Sequence, residues 1–239
     1  MPFPILGEAG MRVFAISDLH LSGAAAKPMD IFGSAWANHC ERVAKAWKDL
    51  VSSDDLVLLP GDFSWAMRLN DALVDLMFLD ALPGTKVLIR GNHDYWWDSL
   101  SKVRAVLPPS VFVIQNDCFS FNSVHVAGTR GWVCPGSANF SIEDKKVYER
   151  ELIRLNLSLS CLPNSGRKLA MLHYPPLNES RSPSGFTELI EKAGIELVVY
   201  GHLHAKSCKG SFEGERNKVE YLLVSADHLE FAPKLILEI

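Results

Sequence analysis

Residues 86–94 read Lys-Val-Leu-Ile-Arg-Gly-Asn-His-Asp: a short β-rich run, then a glycine, then a burst of polar side chains able to bind metals or carry protons. The same order recurs elsewhere. Arg12 to Ser17 runs into Asp18, Leu56 to Leu59 into Pro60-Gly61-Asp62, Lys168 to Leu172 into His173, and Ile195 to Val199 into Gly201-His202. Short apolar runs without polar alternation predict strands covered on both faces, as in parallel sheets.

Segments of helical period lie between these runs. Ala35 to Val51 places Trp36, Cys40, Val43, Trp47, Leu50 and Val51 on one face, with Ser34 at the N-cap position. Helices are also predicted over Asn70 to Leu82, over Asp98 to Leu107 where Pro108-Pro109 stops the chain, and over Ser141 to Cys161, opened by the capping-box pattern Ser141-Ile-Glu-Asp144. A shorter one around Phe186 to Ala193 is closed by Gly194. Val111 to Gly128 and Val219 to Ile239 alternate without helical period and predict hairpins. Strand and helix in alternation imply a largely parallel sheet of α/β units. With no internal repeat, low-complexity tract or long Gly/Ser linker, residues 1–239 read as one domain.

Composition removes several classes of function. With 48% hydrophobic and 22% charged residues the chain has the balance of a folded globular protein, not a disordered or fibrous one. Its longest apolar runs, such as Ala72 to Leu82, are broken by charges at Asp75 and Asp80 and are too short to span a membrane. A net charge of −4 argues against broad electrostatic capture of nucleic acid and leaves a local positive site open. The opening MPFPILGEAG lacks the basic and apolar regions of a secretory signal. Cys40, Cys118, Cys134, Cys161 and Cys208 are odd in number and contain no C-x-x-C pair, which indicates neither a disulfide framework nor a thiolate zinc site and fits a reducing cytoplasm.

Ligands of open α/β sheets bind beyond the carboxyl ends of the strands, which is where these polar clusters fall. Asp18, His20, Asp62, Asn92, His173, His202 and His204 offer carboxylate, amide and imidazole donors and no thiolate, a set that suits Mn, Fe or Zn, with Mg also possible, better than Ca or structural zinc. Seven donors exceed the needs of one tetrahedral ion and match two divalent ions sharing a bridging carboxylate. Gly61, Gly91 and Gly201 each precede a ligand at a sharp strand-to-loop turn. Asp18 and His20, like His202 and His204, are one residue apart, so on a continuing strand each pair would share a face.

The blocks Asp18-Leu-His20, Gly61-Asp62, Gly91-Asn92-His93-Asp94, His173 and Gly201-His202-Leu-His204 occur in the order seen in calcineurin-like metallophosphoesterases, and the sequence resembles that family from residue 18 to 204. The resemblance implies a two-sheet β-sandwich flanked by helices, a four-layer α/β/β/α fold. It implies a first ion on Asp18, His20, Asp62 and His204 and a second on Asp62, Asn92, His173 and His202, with Asp62 bridging. The chemistry that follows is in-line attack of a metal-bound hydroxide on a small phosphorylated substrate. His93 is the candidate acid for the leaving oxygen, and Asp94 the carboxylate expected to orient its imidazole. Phe63-Ser64-Trp65 replaces the further acidic and Arg residues of protein Ser/Thr phosphatases, which argues against a protein substrate. Phosphodiester and phosphomonoester cleavage both stay open, as do the alternatives of an inactive metal-site scaffold for protein interaction and a metal-dependent nuclease.

Other residues carry two readings. Trp65, Trp96, Trp97 and Trp132 flank the motifs, either as walls of a substrate pocket, with Trp97 the candidate, or as packing between sheet and helices. Arg130 is a candidate bidentate clamp on phosphate, or a structural arginine. His39, His125 and His228 stand outside the ordered blocks and read as structural. Ser17, Ser64 and the cysteines lack the partner patterns of covalent nucleophiles.

Overall fold

The protein, described by a computed structural model over residues 10–24, 27 and 29–239, contains two mixed sheets. Residues 1–9, on which the reading of the opening segment rests, lie outside the described residues. The first sheet joins β1 (Arg12–Ala15), β2 (Leu56–Leu59), β3 (Thr85–Leu88) and β4 (Val111–Val113) in parallel, with β11 (Lys234–Glu238) antiparallel beside β1. The second runs β5-β6-β7-β8-β10-β9. Here β6 (Val124–Thr129), β7 (Arg167–Leu172), β8 (Leu197–Tyr200) and β10 (Val219–Leu223) are parallel, and β5 (Cys118–Phe121) and β9 (Gly214–Arg216) form antiparallel edges.

The period-two geometry of a strand sends alternate residues to two cores. Val13, Leu56, Leu58, Val87 and Ile89 meet Val126, Leu169, Met171 and Val199 between the sheets. Phe14, Val57, Leu59 and Leu88 face the other way, onto α1 (His39–Leu50), α2 (Leu69–Asp80) and α3 (Leu100–Val106) through Val43, Trp47, Leu76, Leu79 and Val103. Ala170, Leu172, Val198 and Tyr200 likewise pack on α4 (Ile142–Ser160) and α5 (Gly185–Lys192). The central runs 13–15, 56–59, 87–88, 169–172 and 197–200 lack polar alternation because both faces are covered, and the four layers are α/β/β/α. Among the described residues no helix is long and apolar enough to cross a membrane.

Three expectations change. The first helix does not run unbroken from Ala35: residues 34–36 form a 3-10 turn, Asn38 turns left-handed at φ 53°, and the α-helix starts at His39, so Ser34 is not its cap. β4 leaves the predicted 111–128 hairpin for the first sheet, leaving β5 and β6 as the hairpin. In the tail, β10 pairs with β8 and β9 while β11 crosses to β1. The capping box at α4 forms as its sequence indicates: Ser141 Oγ accepts from the Asp144 N–H, and the Asp144 carboxylate accepts from the Ser141 N–H at 2.9 Å.

Candidate metal centre

The candidate ligands leave the carboxyl ends of β1, β2, β3, β7 and β8, so the two sheets each supply part of one cluster. Their backbones are unusual. Asp18, His20, Asp62 and His202 all have positive φ, between 46° and 72°, a conformation costly for non-glycine residues that collects at functional sites. Asp18 and His20 therefore meet through a tight loop, not along a continuing strand as their spacing suggests. Of the three glycines, only Gly61 needs a positive φ, at 92°. Gly91 and Gly201 are required for space: a Cβ on Gly91 would lie inside the Asp62 carboxylate, and one on Gly201 would collide with Asp18.

The seven side chains converge. Asn92 Oδ1 lies 2.7 Å from His173 Nε2 and 2.9 Å from His202 Nδ1. Asp62 Oδ2 is 3.4 Å from His173 Nε2 and 3.8 Å from His20 Nε2, and Asp18 Oδ1 is 3.4 Å from His204 Nε2. Donor atoms of Asp18, His20 and His204 all lie within 4.8 Å of one another, as do those of Asp18, Asp62 and His173. Asp18 and Asp62 are both about 1% exposed or less, and among the described residues no Lys or Arg pairs with either. Buried carboxylates require a compensating charge. The imidazoles of His20, His173 and His204 turned toward them, that of His202 turned to Asn92, the buried Nδ1 of His20 without a partner among the described residues, and the absence of thiolate make this a donor set that fits divalent cations.

Surrounding groups fix which imidazole nitrogen faces inward. His173 Nδ1 lies 3.0 Å from Pro60 O and donates to it, leaving Nε2 as the donor to a cation. His204 Nδ1 donates to Asp227 Oδ1 at 2.8 Å, and the other Asp227 oxygen accepts the Ala205 N–H at 2.9 Å. Asp227 is thus the carboxylate partner that sequence reading missed. It reaches the cluster because Ser17 and Ser225 form a parallel bridge just beyond β1 and β10. No local signal marks it, since it stands about twenty residues past the last motif. His39, read as structural, brings its Nε2 to 3.1 Å from Leu19 O and so supports the loop that carries Asp18 and His20.

The electrostatics are those of a crowded anionic site before cations enter. Burial alone would raise the Asp18 carboxyl, but the His204 hydrogen bond and the neighbouring imidazoles hold it well below the carboxylate range. Burial pushes the Asp62 carboxyl up to about 7, with Asp18 and Asp94 adding to the rise against the pull of His173. Burial drives His20 and His202 down to about 3. His204 goes the other way: its bonds to Asp18 and Asp227 overcome burial and lift it to about 10.

Asp94 does not orient His93. Its two oxygens already accept N–H groups from Asp62 (3.0 Å), Phe63 (2.9 Å), Ser64 (3.2 Å), Gly91 (2.7 Å) and the Trp96 indole (2.9 Å). It clamps the loop after β2 to the loop after β3. His93 instead has a ring against it: Trp65 lies 4.8 Å from its centroid and 4.7 Å from that of His20, with the Lys27 ammonium 3.7 Å from the indole. The His93 N–H donates to Asp62 Oδ1 at 2.8 Å, while its buried Nδ1 has no partner among the described residues.

The two substrate-contact candidates are also reassigned. Trp97 is 5% exposed in the core beneath the first sheet, its Nε1 donating to Gln115 Oε1 at 2.8 Å, so it has no free face for a substrate ring. The Arg130 guanidinium is engaged by Glu151 at 3.4 Å and lies 4.5 Å from the Trp132 ring centre, while its carbonyl accepts the His173 and Tyr174 N–H groups. Its contribution to the site is to hold the His173 loop. The Ser17 and Ser64 hydroxyls are committed to the Asp18 and Asp75 carboxylates.

The family model for calcineurin-like phosphoesterases matches residues 11–206, and the chain belongs to that family of hydrolases acting on phosphate esters. The family generally binds two divalent metals. Solved structures share the fold at low identity. Phosphopantetheinyl hydrolase (PptH) of Mycobacterium tuberculosis superposes with a TM-score of 0.58 at 13% identity, over 96% of each chain. The AQ665 protein of Aquifex aeolicus gives 0.52 at 15% identity, over 94% of this chain and 95% of that one. TT1561 of Thermus thermophilus gives 0.51 at 15% identity, over 82% and 84%. A comparison with curated proteins finds no match.

Proposed function

We propose that this chain hydrolyses a phosphate ester of a small organic molecule at a pair of divalent ions. Asp18, His20, Asp62 and His204 would hold one ion, and Asp62, Asn92, His173 and His202 the other. The observation that carries the reading is the convergence of these donors from both sheets, with the outer nitrogens of His173 and His204 tied to Pro60 and Asp227. Such ions, when bound, supply Lewis acidity at the phosphoryl oxygens and acidify a water for attack on phosphorus near neutral pH. The oxygen and imidazole donors favour Mn, Fe or Zn over Mg.

The chain's own residues set the rest. Asp94 and the His93 N–H hold the Asp62 loop in its strained conformation, so the shared carboxylate is positioned before any ligand arrives. His93 stands beside the cluster against Trp65 and is the candidate to contact the phosphate and give its proton to the leaving oxygen. The net charge of −4 speaks for a small substrate over nucleic acid. Five free cysteines are in keeping with a reducing, cytoplasmic setting.

The test is chelator-stripped protein reloaded with Mn, Fe, Zn or Mg and assayed on aryl diester, aryl monoester, nucleotide, cyclic nucleotide and phosphopantetheinyl substrates. The last is included because of the fold shared with phosphopantetheinyl hydrolase. Turnover should return with at least one of Mn, Fe or Zn, and Asp62→Asn should lose metal and roughly a hundredfold or more in kcat. Full metal content without turnover on any substrate would favour the scaffold alternative.

A further inference from the structure

A cavity of about 410 Å³ lies beside the cluster, within the size range of small-molecule sites. His202 and Tyr174, whose ring centres are 3.9 Å apart, form the wall it shares with the candidate ligands. Val133, Pro176, Leu203 and Phe212 supply apolar surface. Its polar side chains are mostly spent within the protein. Asn178 Nδ2 donates to Pro135 O and its Oδ1 accepts the Ser182 N–H, both at 3.0 Å. Ser207, Ser211 and Tyr200 donate their hydroxyls to His204 O, Cys208 O and Phe212 O at 2.6, 2.7 and 2.6 Å. The charged Glu179 and Lys206 are exposed residues of its lining. The Ser137 hydroxyl of the lining is not so engaged among the described residues; a polar group buried elsewhere inside would find few free partners and cost about 1–3 kcal/mol, so the interior selects an uncharged, mainly apolar group.

Position then decides which group that is. His93 stands on the His20 and Trp65 side of the cluster, 5.8 Å and 4.8 Å from those rings, and is not part of the cavity wall. In-line displacement directs the leaving oxygen toward its proton donor. Resting on the phosphoesterase reading, we infer that the cavity binds the retained organic group of a phosphodiester, an apolar one, while the leaving alcohol departs past His93 and Trp65. Water adds its oxygen to phosphorus and the P–O bond to the leaving group breaks. The departing oxygen takes the proton from His93, which is reprotonated from solvent, while the attacking water gives its own proton to solvent on the opposite side of phosphorus. The products are an alcohol and a phosphomonoester still bearing the cavity-bound group.

Three substrates with one leaving group test this on metal-loaded protein: bis(4-nitrophenyl) phosphate, methyl 4-nitrophenyl phosphate and 4-nitrophenyl phosphate. Val133→Phe and Ser137→Phe fill the cavity from separate positions on its lining. Each should lower kcat/KM for the bis-aryl diester about tenfold or more while changing the other two substrates less than about twofold, with Tm unchanged. Equal losses on all three, or no loss on any, overturn the assignment. The unaltered protein gives a check that needs no variant: phenylphosphonate should inhibit about tenfold more tightly than methylphosphonate, and equal inhibition also overturns it. Absence of turnover by metal-loaded wild type on all three and on the wider substrate panel is a different failure, since it removes the phosphoesterase reading itself.

Discussion

Asp227 shows how much one carboxylate outside the recognised motifs can decide. By accepting the His204 Nδ1–H and the Ala205 N–H it sets both the tautomer and the tilt of a candidate ligand. It lies beyond residue 206, where the family match ends. Removing such a partner typically weakens metal binding by about 10- to 100-fold. Asp227→Ala should therefore weaken Mn affinity by about that factor in a metal titration, with the fold retained by circular dichroism; unchanged affinity would mean that His204 needs no orientation. Gly91 carries the complementary lesson, because there the absence of a side chain leaves room for the Asp62 carboxylate.

At the scale of elements, the loops matter more than the strands they leave. Asp94 ties the loop after β2 to the loop after β3 by accepting from both and from Trp96, and it is fully buried. Substituting an amide turns an acceptor into a donor facing N–H groups. Asp94→Asn should cost about 3 kcal/mol in urea unfolding and release metal with the loosened Asp62 loop. His93→Ala should keep both stability and metal while losing rate, most of all on substrates with poor leaving groups. If the two variants behaved alike, the division between a loop clamp and a proton donor would be wrong.

In the whole molecule, the candidate ligands leave both sheets, so cations bound there would fasten one sheet to the other. At a Mn concentration a hundred times Kd, binding to the folded state alone adds about 2.7 kcal/mol, or roughly 5–10 °C in Tm for a chain of this size. Protons oppose it. Asp62, raised to about 7, and His204, raised to about 10, both carry protons at acid pH that a metal must displace. The Mn-induced rise in Tm should therefore grow from pH 6 to pH 8 in paired thermal scans with and without metal. A shift that is flat or larger at pH 6 would place the metal elsewhere.

Local pattern made the strands, the ligand order and the α4 cap legible from sequence, since an apolar run, a glycine and a capping box act over a few neighbouring residues. The structure alone sorted the strands. β4 and β11 join the first sheet through partners far away in the chain, and strand pairing has no local signature. It also reassigned side chains whose roles depend on what faces them. Trp97 went to the core, Arg130 to Glu151, and Asp94 to the backbone of another loop. Residue identity and spacing thus determined which groups are able to bind cations, because donor chemistry belongs to the side chain itself. Tertiary structure decided which nitrogens of His173 and His204 point inward and which cavity adjoins the cluster, because orientation is set by contacts between residues distant in sequence.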